Sequence, residues 1–316
     1  MKVGLVIPSY PNEKRVALLP EDINDFPDEL IVESGFGDSM GISDSSYIAK
    51  GCQMRSREDV FAACEIIFAL KLLQPCDYQF LKEGQMIVGW THPTGSGMKF
   101  MADQAMPKKL RIADLDNAYP KLYYMGKTRA LDFLPKNFLY KNSFYAGFSS
   151  TMHAFLNYGA YPDPSMRIAV LGNGNTAQGV FHFLSKFTDN IRMYYRKTIP
   201  EFKAELGSFD VVVNGIEVDV PDYHLITKAD IARSKPGCFF IDAAADAGNT
   251  IEGTRYTSID KPMYEEGGRY FYEVNNSPSL IYRTSSRFLS KAFSEHVFKP
   301  GINRFVESCK GMEERK

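Results

Sequence analysis

No run of apolar residues in this sequence approaches the ~20 that a spanning helix needs, so no membrane-crossing helix is expected. The opening residues 1–8 are too short an apolar stretch for a signal peptide and break at Pro8; they read instead as a first β-strand. Cysteine is scarce: five residues, at 52, 64, 76, 238 and 309, with no C-x-x-C pair among them. In a chain this long that is the usage of free thiols in a reducing compartment, not of a disulfide frame, and the expected location is the cytoplasm. Neither sign of charge is in excess. With 37 basic and 38 acidic side chains, a net charge of -1 gives no reason to expect a nucleic acid or an anionic membrane as partner. Internal repeats and low-complexity tracts are also absent.

What is present is apolar material for more than one core. The 316 residues are 44% hydrophobic and 13% aromatic, which excludes disorder and suggests about two domains. Short apolar runs alternate with helix-like stretches, the pattern of an α/β protein on largely parallel sheets. Residues 3–7, 29–34, 65–73, 85–90 and 110–115 read as strands. Residues 20–26 and 44–50 open like helices, the first with Pro20 followed by Glu21 and Asp22. Near 133–146 the character changes, and a helical pattern through 152–158 leads into a second α/β unit. Its strands are expected at 168–171, 191–195, 209–216, 238–243 and 269–274. The tail from 278 reads as helical and as returning to the first domain.

Ile168-Ala169-Val170-Leu171 is a buried-strand run followed at once by Gly172-Asn173-Gly174-Asn175-Thr176-Ala177 and a helical stretch. A dinucleotide site needs this arrangement. Gly172 permits the tight turn, Gly174 lets backbone approach the pyrophosphate, and the small Ala177 lets helix and strand pack closely. The next strand ends on Arg196-Lys197-Thr198, where NAD sites usually carry an acid for the ribose hydroxyl. Arg196 can instead fork onto a 2′-phosphate, so NADP is the expected cofactor.

Four further residues draw notice. Lys71 interrupts the apolar run 66–73, where an unpaired lysine is costly, although its stem could also snorkel to water. His92 follows a strand in a Gly- and Ser-rich loop, a common place for catalytic groups. Asp242 and Asp246 stand where a strand of the second unit ends, the ligand-binding side of an open α/β sheet; a loop-stabilising role is the alternative. Arg15 would by itself pass as a loop charge.

Arg15-Val-Ala-Leu-Leu-Pro, Glu33-Ser-Gly-Phe-Gly, Lys71-Leu-Leu-Gln-Pro, His92 after its strand, Asp242-Ala-Ala-Ala-Asp246 and Asn275-Asn276-Ser277-Pro278 resemble, in order, the alanine dehydrogenase and pyridine nucleotide transhydrogenase superfamily. Fungal-type saccharopine dehydrogenases are similar too. The resemblance implies two Rossmann-like α/β domains with a cleft between them. Residues 1–139 and 278–316 would form the substrate domain and 140–277 the NADP-binding domain. The latter would be a trimmed doubly wound parallel sheet, because 196–210 is too short for the usual helix and third strand. It also implies that Arg15 and Lys71 hold a keto acid and that His92 bonds the reacting oxygen and moves protons. Asp246 would be the carboxylate beside the nicotinamide. The cofactor set would be Gly172, Asn173, Gly174, Asn175, Thr176, Ala177, Arg196, Lys197 and Asn276, with no metal.

Within the superfamily, the stretches GWTHPTGSG, KNSFYAGF, MYYRKT, FDVVVNGIEV and NNSPSLIYR resemble the branch that joins pyruvate reductively to the side-chain amine of ornithine or lysine with NADPH. A homo-oligomer, dimer or tetramer, is implied as well. Asp114, Asp116 and Arg283 are candidates for holding the α-groups of the amino acid. The rival readings are an amino acid dehydrogenase that uses ammonia, and an NADP-binding sensor without turnover.

Overall fold

The computed structural model describes residues 1–116, 118–218, 220 and 223–313. It divides into two units, one formed by Met1–Leu139 with the tail from Tyr282, the other by Tyr140–Ile281. The helices are α1 (Asp44–Ile48), α2 (Arg57–Ala63), α3 (Met98–Phe100), α4 (Tyr140–Tyr158) and α5 (Asn175–Leu184). After them come α6 (Ile199–Glu205), α7 (Lys228–Arg233), α8 (Tyr282–Phe293) and α9 (Asn303–Glu313). Among the described residues no helix is long and apolar enough to cross a membrane.

The first unit holds an eight-stranded sheet in the order β3-β2-β1-β4-β5-β6-β7-β8. Its strands are β1 (Lys2–Val6), β2 (Glu29–Glu33), β3 (Gln53–Arg55), β4 (Ile66–Ala69), β5 (Met86–Gly89), β6 (Arg111–Asp114), β7 (Lys121–Tyr124) and β8 (Lys127–Ala130). β1 to β6 run parallel, and β7 and β8 add an antiparallel hairpin. Central parallel strands are covered on both faces and so read as unbroken apolar runs; β4 and β5 are buried at every position. One face is closed by the tail, where Phe293 and Phe298 pack on Phe68 with ring centres 4.9 and 5.2 Å apart. β8 is exposed along its length, and Lys127 and Arg129 keep that edge charged.

The second unit holds six strands in the order β10-β9-β11-β12-β14-β13. They are β9 (Ile168–Leu171), β10 (Ile191–Tyr194), β11 (Val211–Asn214), β12 (Phe239–Asp242), β13 (Met263–Glu266) and β14 (Arg269–Tyr272). All pairs are parallel except β13 with β14. A full Rossmann sheet would carry another strand beyond β10. Here β10 is the edge, and the short α6 returns the chain directly to β11, so the sheet is the trimmed one expected.

Two local readings need correction, and four strands add to those expected. Residues 20–26 form only the 3-10 turn Pro20–Asp22. Pro27 disfavours helical backbone at Phe26, and Asp25 already stands at a left-handed φ of 43°. The run 65–73 pairs as a strand only to Ala69, opposite Val6; Pro8, lacking an N–H, cannot extend the ladder on that side. Lys71 therefore lies beyond the strand, in the loop that leaves it. The strands β3, β7, β8 and β13 carry too little apolar alternation to be read from sequence.

Candidate functional site

In the first unit the strand order turns back between β1 and β4, and open parallel sheets bind ligands beyond the carboxyl ends of strands at such a point. Loops leaving β1, β4, β5 and β6 on that side carry Arg15, Lys71, His92 and Asp116. Gly89 ends β5 at φ +151°, and a Cβ there would stand 1.7 Å from the Ala69 carbonyl oxygen, so glycine is required for the two strand ends to meet. His92 follows at a left-handed φ of 48°. Backbone of this kind is costly outside glycine and concentrates at functional sites. Asp114, fully buried, accepts hydrogen bonds from the amides of Thr91 (2.9 Å) and His92 (3.3 Å) and fixes the turn. Burial and the neighbouring Asp116 raise the Asp114 carboxyl. Such a buried backbone anchor is not suited to hold a substrate α-group.

Two cations meet over Trp90. The Arg15 guanidinium lies 4.9 Å from the ring centre and the Lys71 ammonium 5.6 Å, with Tyr10 packed 5.2 Å from Lys71. Arg15 is gripped by Glu13 through Nε–Oε1 (2.8 Å) and Nη2–Oε2 (2.6 Å). Burial opposes the charge on Glu13, but Arg15 and Lys71 hold its carboxyl below the usual range. Burial, and then the charge of Arg15, pull Lys71 below the ordinary lysine range, which brings its neutral amine within reach as a base. His92 Nδ1 stands 3.1 Å from the Asp116 carboxylate. That contact fixes the ring and presents Nε2 as the nitrogen that can exchange a proton. Asp116 is thus a partner of His92, and Arg283 is exposed with one Nη1 donating to the Met40 carbonyl at 3.2 Å.

The tail holds the Arg15 loop. Ser286, Ser290 and Ser294 recur every fourth residue, one face of a helix. Ser286 accepts from the Val16 amide at 2.9 Å and Ser290 from the Leu19 amide at 2.7 Å. Ser290 and Ser294 also donate, each at 2.5 Å, to the carboxylate and the carbonyl of Asp22. Buried backbone groups in an irregular segment must find partners, and this stripe supplies them. Sequence reading missed Glu13, Tyr10, Trp90, the pairing of Asp116 and the serine stripe. The fourfold spacing of the serines was a signal for the stripe alone.

In the second unit the strand order turns back between β9 and β11. Gly172 leaves β9 at φ +104°, a value that favours glycine. Ala177 is buried against Gly215 beyond β11, where an added Cβ would approach the Ala177 backbone to 2.8 Å. A Cβ on Gly174 would meet nothing within 4 Å. There is therefore open space at the start of the ten-residue α5, whose first amides lack helical partners. Asn173 is exposed, and Asn175 and Thr176 are half-buried in the first turn. Arg196 and Lys197, beyond β10, are exposed and have no ion-pair partner among the described residues. The nearby Glu201 is taken by Arg192 at 2.9 Å. These residues fit a dinucleotide, with two exposed cations just beyond the end of the next strand, β10. Asn276, buried, follows β14 at a left-handed φ of 89°.

Asp242 ends β12, and Asp246 sits half-buried in the loop after it. Asp246 accepts from the Val218 amide (3.0 Å), Asn249 Nδ2 (2.8 Å) and Thr250 Oγ1 (2.9 Å). Ala245 before it holds a left-handed φ of 55°.

Two family models match the chain: Alanine dehydrogenase/PNT, N-terminal domain, over residues 7–120, and Alanine dehydrogenase/PNT, C-terminal domain, over 167–309. The chain is 50% identical over 314 residues to an N(5)-(carboxyethyl)ornithine synthase of Clostridium botulinum, covering 99% of each. A protein of the same name from Lactococcus lactis subsp. lactis is 51% identical over 310 residues, 98% of this chain and 99% of that one. Among solved structures, an L-alanine dehydrogenase matches with a TM-score of 0.76 at 18% identity, over 99% of this chain and 94% of its own, a likeness of fold.

Proposed function

Because the chain belongs to the alanine dehydrogenase/PNT family, in the branch of the N(5)-(carboxyethyl)ornithine synthases, and is an oxidoreductase of that family, we propose that it joins pyruvate to the side-chain amine of ornithine or lysine, with NADPH. The observation that carries this reading is the meeting of Arg15 and Lys71 on Trp90, with the Asp116-held His92 in the same cluster. Two cations on a dry aromatic surface suit a small keto acid, and an oriented imidazole suits proton transfer.

Arg15 would anchor the pyruvate carboxylate, kept in place by Glu13 and by the serine stripe behind its loop. The neutral ω-amine of the second substrate attacks the keto carbon. Lys71, with its lowered affinity for protons, takes the proton released from that nitrogen. The proton that Lys71 takes passes to the former keto oxygen. His92 Nε2 then protonates the resulting hydroxyl so that it leaves as water, and the nitrogen, which keeps its second proton, is left as an iminium. A bound NADPH supplies the hydride that reduces it. Asp246 would stabilise positive charge on the substrate nitrogen. Gly172, Gly174 and the first turn of α5 would hold the pyrophosphate, and Arg196 with Lys197 the 2′-phosphate.

The test is NADPH oxidation that requires both pyruvate and ornithine or lysine. A purified chain that binds NADPH but fails to oxidise it with any pair of keto acid and amine would be a nucleotide-binding sensor instead. For the cofactor, Arg196→Asp is expected to weaken NADPH much more than NADH. One charge-assisted contact is worth roughly 1.5–3 kcal/mol, or about ten- to over a hundredfold. Comparison of kcat/KM for the two cofactors reads this directly, and an unchanged preference would show that another group meets the phosphate.

A further inference from the structure

Glu273, just past β14, and Asp242, the last residue of the adjacent β12, are each 1% exposed. Two neighbouring carboxylates cannot both stay ionised out of water without a large penalty. The hydrogen bonds around them divide the roles. Asp242 Oδ1 accepts from Asn214 Nδ2 (2.9 Å) and the amides of Ala244 (3.1 Å) and Ala245 (3.2 Å). Its Oδ2 accepts from the amide of Asp246 at 3.3 Å. Glu273 Oε1 accepts from Thr254 Oγ1 at 3.0 Å, whereas Oε2 is buried and has no donor directed at it. Such an oxygen is satisfied when it carries the proton itself and donates to a neighbouring carboxylate. Burial first, and the Asp242 charge second, raise the Glu273 carboxyl to about 9, so it is protonated at neutral pH.

We propose that Glu273 is a positioning residue that works as a protonated acid, sharing its proton with Asp242 to clamp the loop that carries Asp246. Asp242 takes three successive amides at the near end of that loop, across the strained Ala245. At the far end the Gly248 amide donates to Thr254 Oγ1 at 3.0 Å, and that hydroxyl is the one held by Glu273. Both ends of the loop therefore meet at the carboxyl pair. The other titratable groups near Glu273 are Asp246 in the loop, Tyr256 after it and Tyr264 on β13, with Arg255 stacked 3.7 Å over the Tyr264 ring. Loss of the Glu273 proton sets a second anion against Asp242 and frees the loop. The effect on turnover rests on the reaction proposed above; the shared proton does not.

The experiment compares the parent with Glu273→Gln, which keeps a donor and cannot ionise, and with Glu273→Ala. In the folded chain Glu273 holds its proton up to about 9, against an ordinary value of 4.5. The folded state thus binds more protons between these values, and its stability from this group falls as pH rises through them. The parent's melting temperature should drop by several degrees relative to Glu273→Gln between pH 5 and pH 9, then run parallel to it. In turnover, Glu273→Gln should keep most of the parent's kcat at neutral pH and lose the parent's decline above pH 9. Glu273→Ala should lower kcat on the order of tenfold or more, as misplacement of a site group does, with KM for NADPH nearly unchanged. Parallel melting curves, or full kcat in Glu273→Ala, would overturn the clamp. Divergent melting curves in a chain without turnover would support the clamp and count against the proposed reaction.

Discussion

Replacing Lys71 or His92 by alanine is expected to lower turnover by on the order of 10²–10⁴, the usual contribution of a positioned acid or base. The geometry gives each a distinct reason. Lys71 is buried beside a second cation, so its neutral form, the one able to accept a proton, is within reach. Its side chain also lies beside Arg15 over Trp90, where its N–H groups can donate to the carboxylate, so Lys71→Ala should raise the KM for pyruvate as well. His92 is held through Nδ1 by Asp116 at 3.1 Å, so His92→Ala should act mainly on kcat. Asp116→Asn keeps a hydrogen-bonding partner for Nδ1 but loses the charge-assisted contact that orients the ring, and should fall between the parent and His92→Ala. Affinity for NADPH should stay nearly intact in all of these, because the glycine turn and Arg196 belong to the other folding unit. Steady-state kinetics with a separate NADPH titration decides the matter. Full turnover at saturating substrate in either alanine variant would remove that residue from the mechanism. A parallel loss of NADPH binding would point to a folding defect.

How far the sequence discloses this site depends on how local each signal is. The nucleotide turn is legible because strand, glycines and helix are contiguous from Ile168 to Leu184; no distant partner is needed to read them. The parallel strands are legible because burial on both faces writes an unbroken apolar run. The charged hairpin of β7 and β8 is not, since its exposed edge demands the opposite composition. Lys71 and His92 could be singled out, Arg15 passes for a loop charge, and only a family resemblance joined the three; the meeting of Arg15 and Lys71 over Trp90 depends on the order of β1, β4 and β5 in the sheet.

The hidden part is the support around the chemical groups. Val16 meets Ser286 across 270 residues of chain, and Asp114 and Asp116 reach the His92 turn only because β6 lies beside β5. Read in sequence, Asp114 and Asp116 are two acids near a strand end, open to any polar role. In the fold one anchors backbone and the other orients a ring. Glu273 is similarly silent: nothing in Tyr-Glu-Val marks a carboxyl that must face Asp242 from the neighbouring strand. Residue 20, by contrast, misled through an excess of local signal, since Pro20 and its acids do begin a turn but Pro27 stops it from becoming a helix.

The amine separates the proposed reaction from that of an ammonia-using dehydrogenase, because both would reduce an imine of pyruvate. A site shaped for ornithine or lysine must bind the remote α-amino and α-carboxylate groups, and that binding energy helps hold the reacting nitrogen at the keto carbon. Two charge-assisted contacts at roughly 1.5–3 kcal/mol each correspond to about 10²–10⁴ in kcat/KM over an amine that lacks them. An ω-amine without the α-carboxylate should fall between ornithine and ammonia. The decisive measurement is the mass of the product formed from NADPH and pyruvate with ornithine, lysine or ammonia supplied in turn. A product weighing as ornithine or lysine joined to a carboxyethyl group, with ammonia a far poorer substrate, is the predicted result; alanine as the main product, with both diamino acids inert, would contradict it.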